Sequence, residues 1–230
     1  MPQLYRPEIP LPADAEYRVA RTTARPAVLL PGHDPAWSAA EKITWGPKPY
    51  RTTFSALWNA AGLAIRFDVC DDGPWHTMTR HDDRIAEEEC VEIFLDPLRR
   101  GWGYAEVEIS PINVVTDLHV LEPVPLRNDR SWDWAGLEST VVTGSCEGLA
   151  ATSWVALAWL PWAGLQTMRP DVAAVVPPVA GQCWRFNVFR IKRPHGPADR
   201  ERGALYAAWS APDGGSFHAP AAFRDFVFLP

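Results

Sequence analysis

Three glutamates on two neighbouring runs are the first residues that could do chemistry. In ECVEIFLDP (89–97), Val91, Ile93 and Leu95 alternate with Glu92, Phe94 and Asp96. In GYAEVEIS (103–110), Ala105, Val107 and Ile109 alternate with Tyr104, Glu106 and Glu108. Successive side chains on a strand point to opposite faces, so the two runs predict an antiparallel pair with one apolar and one polar face. The polar faces could then bring Glu92, Glu106 and Glu108 together. Paired carboxylates are the machinery of glycoside hydrolysis. Nothing in the sequence marks a raised pKa or a nucleophile, and the plainer expectation is a solvated acidic face. Carboxylates, amides and guanidinium groups also suit recognition alone, because they engage sugar hydroxyls.

Asn187 and Arg190, in CWRFNVFRIKR (183–193), extend this polar set. With Glu92 they fit the polar half of a saccharide site. Glu92 and Arg190 could equally form a structural ion pair across neighbouring strands, where truncating one partner strands the other charge. The apolar half would come from tryptophan, of which the chain has 12. Trp75, Trp102, Trp132, Trp134 and Trp209 fall in or beside predicted loops, where an indole can stack on a sugar ring or anchor its own loop. Trp154, Trp159 and Trp184 fall in apolar runs and are predicted core.

Asp71, Asp72, Asp82, Asp83 and the run Glu87-Glu88-Glu89 could supply oxygen ligands to calcium. They lack the spacing of an EF-hand, and an exposed acidic loop explains them as well. Cys70, Cys90, Cys146 and Cys183 are scattered, with no CxxC pair, and support neither a disulfide framework nor a zinc site. Cys70 and Cys90 are expected as buried thiols. Haem would need axial ligands of the Met and His type. Met78 and His76 do not form such a pattern, and no cofactor is required.

Strands must position these residues. The chain has 230 residues, 23 of them proline, which argues against a helical bundle because proline breaks helix interiors. A net charge of −6 argues against nucleic acid as a partner. Residues 1–36 read as an extended N-terminal arm with a strand near Tyr17–Ala20, and residues 37–230 as one domain. TTFSALWN (52–59) and LAIRFDVCDD (63–72) predict a hairpin turning at Asn59–Gly62. LESTVVT (137–143) and TSWVALAW (152–159) predict another, turning at Gly144–Gly148. INVVTDLHV (112–120) continues a meander, and ALYAAW and FRDFVFLP close the chain. The fold class is all-β, a two-sheet antiparallel sandwich with long loops and little helix.

Leu149–Met168 is 20 residues without a charge, the nominal length of a membrane span. Pro161, Gly164 and Gln166 interrupt it, so it predicts a buried strand, a turn at Pro161 and a short helix or loop, with no membrane partner. No apolar signal segment is visible at the N-terminus, so the sequence leaves the compartment open, cytoplasmic unless a leader has been removed.

Four segments then fall in a recognisable order: LAIRFDVCDD, ECVEIFLDP, WVALAWLPWAGL (154–165) and GQCWRFNVFRIKR (181–193). AAWS and FHAPAAFRDFVF (217–228) follow. From about Trp37 to Phe228 this order resembles the family 9 carbohydrate-binding modules, in the DOMON-like β-sandwich group. The resemblance implies a jelly-roll-like sandwich and non-catalytic binding of an oligosaccharide or polysaccharide, with calcium in some members. It places Glu92 and Asn187 at ligand-pocket positions. Leu157 stands where the family has Glu, Arg84–Ala86 and Arg190 stand where it clamps the sugar between aromatics, and Arg224 replaces a common Gly. His218 is expected to order the final turn. The expected ligand-binding set is Glu92, Asn187, Arg190, Trp209, Trp75, Trp102, Tyr104 and Glu106. The alternatives are a glycoside hydrolase using paired carboxylates, and a scaffold recruited for a non-sugar ligand or a protein partner.

Overall fold

A computed structural model of the protein describes residues 3–7, 10–144 and 152–230. Its strands, in chain order, begin with β1 (Gln3–Leu4), β2 (Glu16–Arg21), β3 (Ile43–Trp45), β4 (Thr52–Trp58) and β5 (Gly62–Val69). Next come β6 (Cys90–Asp96), β7 (Tyr104–Ile109), β8 (Val115–Pro123), β9 (Leu126–Asp129) and β10 (Glu138–Thr143). The last are β11 (Trp154–Pro161), β12 (Cys183–Lys192), β13 (Leu205–Ala208) and β14 (Arg224–Phe228).

One sheet runs β10-β11-β5-β4, with β3 beside β4, antiparallel throughout. The other runs β12-β6-β7-β8-β9, with β13 and β14 sharing the free side of β12, also antiparallel. β2 links the sheets. Its Glu16–Val19 stretch pairs parallel with β14, and Ala20 and Arg21 pair parallel with β4. The predicted strand near Tyr17 is therefore interior to the sandwich and not an arm upon it, because Tyr17 and Val19 alternate inward and are fully buried.

The inner faces meet as an aromatic core. Phe54, Phe67 and Trp154 of one sheet pack in one cluster with Ile93, Leu95, Val107 and Phe186 of the other. This is the two-sheet sandwich that the alternating runs predict. The Asn59 turn forms as expected, with its side-chain oxygen accepting from the Ala61 and Gly62 amides. The residue 149–168 run becomes β11 and, after Pro161, a helical turn at Trp162–Gln166. No helix among the described residues is long and apolar enough to cross a membrane. The turn predicted at Gly144–Gly148, with Cys146, lies mostly outside the described residues, as does the start of that run.

Both outer faces are covered as well. Leu57, Ala64, Leu157 and Trp159 pack under Leu29 and Trp37, from the helical turns at Pro26–Leu29 and Pro35–Ala39. Leu157 is a buried apolar contact in this layer. On the other sheet, Cys90, Phe94, Tyr104, Phe189 and Ile191 pack under Ile85, Phe217 and Phe223, with Met78 and Ala86 at the margin.

Candidate functional site

The polar face of β6 and β7 is not solvated. Glu92, Glu106 and Glu108 are at most 4% exposed. Strand alternation reveals which residues share a face but not what covers it. The cover comes from residues 78–86 and 217–223, distant in sequence. The convergence itself is as the pattern predicts. Glu92 lies directly opposite Glu108, and Glu106 opposite Phe94 one step along. Opposed residues on antiparallel strands have Cβ atoms about 5 Å apart.

Burial, with repulsion from neighbouring glutamates at Glu92 and Glu106 and from Asp82 at Glu108, holds all three carboxyls above the ordinary carboxylate range, with Glu108 at about 7. Glu106 and Glu108 share a hydrogen bond, which requires a proton on one of them. The Cys90 thiol donates to Glu92 at 3.3 Å, and the Ala86 amide donates to Glu108 at 3.2 Å.

Four of the expected site residues gather on this face: Glu92, Tyr104, Glu106 and Asn187. Two of them are occupied by internal partners. The Tyr104 hydroxyl meets His218 Nδ1 at 2.9 Å, and the His218 ring stacks on Phe94, which orders the last turn. The Asn187 amide clasps the backbone of Ser210, donating to its carbonyl at 2.8 Å and accepting from its amide at 3.1 Å.

Arg190 does not join them. It stands opposite Val91 while Phe189 stands opposite Glu92, so Arg190 and Glu92 point to opposite faces. Neither the shared site nor the ion pair expected of these two residues forms. Arg190 instead contacts Asp71 at 2.5 Å and Glu89 at 3.5 Å, and its guanidinium lies over Trp154. Lys192 completes the network, 2.7 Å from Asp71 and 3.1 Å from Glu89. Burial pushes Asp71 up, but Arg190 and Lys192 pull it below the usual range; in Glu89 burial prevails and the shift is upward.

This network uses acidic residues expected to hold calcium. Glu88 is likewise held, by His76 at 2.5 Å and by the Thr77 amide and hydroxyl. Asp83 accepts from the Thr79 and Arg80 amides.

The tryptophans of the expected set lie apart. Trp75 is half-buried and donates to the Arg193 carbonyl at 2.5 Å. Trp102 is 37% exposed, but Arg169 lies 4.8 Å and Arg100 5.4 Å from its ring centroid, and both arginines pair with Asp171. Trp209, expected beside a loop, is 8% exposed and packs into the core against Phe186, and it borders an open groove. The groove encloses about 470 Å³ between Tyr5, Trp45, Trp209, Thr44, Arg51 and the prolines of residues 7–12. That volume suits a small ligand. Sequence reading missed Tyr5 and Trp45, which are brought together only by tertiary pairing; the signal available was an aromatic beside a proline-rich stretch.

Solved structures share this architecture. A family 9 carbohydrate-binding module from Caldicellulosiruptor kristjanssonii, in complex with cellotriose, matches with a TM-score of 0.65 at 13% identity, covering 94% of each chain. The fold is that of a family 9 carbohydrate-binding module. A glucose complex of a family 9 module from the same organism matches with a TM-score of 0.64, at 13% identity over 93% of this chain and 95% of that one. A candidate carbohydrate-binding protein from Bacteroides uniformis gives 0.66 at 17% identity, over 93% of this chain and 98% of its own. Among curated proteins, an extracellular protein from Arthroderma benhamiae is 27% identical over 220 residues, covering 86% of this chain and 92% of the relative. No family model matches the sequence. Glu92 and Asn187 lie beneath the covering segments, while the groove beside Tyr5 is open.

Proposed function

We propose that this domain binds a carbohydrate without acting on it, in the groove bordered by Tyr5, Trp45 and Trp209. The observation that carries the reading is that groove, an open concavity bordered by the half-buried Tyr5 and the largely buried Trp45 and Trp209, with the exposed polar side chains of Thr44 and Arg51 beside them. Aromatic rings offer apolar faces to the C–H surfaces of a sugar, and Arg51 and Thr44 offer donors to its hydroxyls. The solved family 9 complexes with cellotriose and glucose support the choice of ligand class. The Arthroderma benhamiae relative is named an extracellular protein, a setting in which polysaccharide would be met.

Hydrolysis is the weaker reading. The carboxylates that the strand pattern offers for hydrolysis, Glu92, Glu106 and Glu108, are buried beneath Ile85 and Phe223 and give a sugar ring no approach.

Calorimetric titration of the whole chain with glucose and cello-oligosaccharides, followed by a glycan array, tests the proposal. At least one saccharide should saturate a single site. Tyr5→Ala and Arg51→Ala should each weaken binding about tenfold or more, while Glu92→Gln leaves it unchanged. Folded protein that binds no saccharide on the array would overturn it.

A further inference from the structure

A second groove, also of about 470 Å³, lies on the far side of β8, lined by His81, Asn113, Asp117, Asp133 and Trp134 among others. Within it, one ligand atom from each of His81, Asp82, Asp117 and Asp133 lies within 4.8 Å of all the others. Three elements supply them. His81 and Asp82 come from the loop between β5 and β6, Asp117 from β8, and Asp133 from the segment before β10.

Three features distinguish this group from an ordinary acidic patch. First, among the described residues no lysine or arginine forms an ion pair with Asp82, Asp117 or Asp133; the nearby Arg130 donates to the Asp82 backbone carbonyl instead. Second, Asp117 is 1% exposed and sits on the groove wall. Its Oδ2 accepts from the Trp134 amide, but its Oδ1 has no hydrogen-bond donor from outside the group. Oδ1 meets only His81 Nε2, inside the group, so this buried carboxylate depends on the group itself for its second oxygen. Third, His81 has a carboxylate against each ring nitrogen, Asp82 at 3.2 Å from Nδ1 and Asp117 at 2.9 Å from Nε2. A neutral imidazole has one N–H, so one nitrogen presents a lone pair beside a carboxylate. A cation between them resolves that conflict.

We propose that His81, Asp82, Asp117 and Asp133 bind a divalent transition ion of the zinc class. The donor set decides the class. Calcium takes six to eight oxygen ligands, whereas imidazole nitrogen with carboxylate oxygen in a four-ligand set suits zinc. His81 and Asp133 are exposed, so the ion can enter from the groove, while Asp117 anchors it from the sheet. The site is separate from the saccharide groove and does not depend on that reading.

The test uses the whole chain, freed of metal with a chelator and titrated calorimetrically with zinc chloride. One zinc per chain should saturate the protein. His81→Ala and Asp133→Asn should each weaken binding at least tenfold. Both side chains are exposed, and circular dichroism will confirm that the variants fold. Cobalt substitution gives a second readout, a visible absorption band that His81→Ala alters. Absence of saturable zinc binding overturns the proposal, as does wild-type affinity in both variants. Displacement of zinc by equimolar calcium overturns the choice of ion class.

Discussion

Glu92 and Glu108 face each other directly across β6 and β7, 2% and 3% exposed, with no ion-pair partner among the described residues. Two buried carboxyls in this relation cannot both ionise at ordinary cost. Burial raises both pKa values, with repulsion from Glu108 adding to it at Glu92 and from Asp82 at Glu108; Glu106 is raised likewise. Each folded-state pKa lies above its unfolded value, so in that interval the folded chain holds more protons. Stability from the cluster is full below the unfolded value near 4.5 and is lost as pH rises through about 7 at Glu108. Glu108→Gln should remove this loss and make the variant more stable than wild type at pH 8, by roughly 3 kcal/mol at most. Urea denaturation at pH 5 and pH 8 measures it. An unchanged difference between the two pH values in the variant would sink the assignment.

The Asp71 network makes the opposite prediction for truncation. Asp71 faces both Arg190 and Lys192, which are at most 1% exposed in their side chains. Asp71→Ala would leave two buried cations sharing Glu89, with only the exposed Asp72 near Lys192 besides. The expected loss is about 3–5 kcal/mol. Asp171→Ala, which breaks only solvent-screened pairs to Arg100 and Arg169, should cost far less. Thermal and urea unfolding of the two variants compares them directly. Equal losses would mean that burial is not what distinguishes the networks.

Trp102 and Tyr5 separate exposure from availability. Trp102 is the more conspicuous aromatic, but two guanidinium groups lie over its ring. Trp102→Ala should leave saccharide affinity within about twofold of wild type, a change near 0.4 kcal/mol. Tyr5→Ala should lower the affinity about tenfold. Calorimetry on both variants decides, and a larger loss at Trp102 would move the site away from the groove.

Much of the architecture was legible in the alternation of apolar residues. Val91, Ile93 and Leu95, and Ile65, Phe67 and Val69, identify their strands and their inward faces. The facing of Glu92, Glu106 and Glu108 was equally legible, because a two-residue period fixes it once the hairpin register is set. The burial of that face was not, since Ile85 and Phe223 are brought over it by tertiary folding. Arg190 was misjudged through register. Its strand was correct, but a one-residue offset relative to Glu92 sends its side chain to the other face. Asp117 lay hidden within an apolar-looking run, VVTDLHV, whose single carboxylate was its one signal.

β2 carries the last prediction, because it joins the two sheets through one hydroxyl as well as through its backbone. The Tyr17 hydroxyl donates to the Glu41 carbonyl at 2.7 Å and accepts from the Ala56 amide at 2.6 Å. Its ring packs between Phe54 and Phe186, stacking also on Phe226. Tyr17→Phe keeps the ring but leaves the buried Ala56 amide unpaired toward it. An unsatisfied buried group costs about 1–3 kcal/mol. Tyr50→Phe removes a hydroxyl that binds only the exposed Asp72, and should change stability by about 0.5 kcal/mol or less. Urea unfolding of the pair checks the contrast. If Tyr17→Phe proved as mild as Tyr50→Phe, the sheets would be held together by ring packing alone.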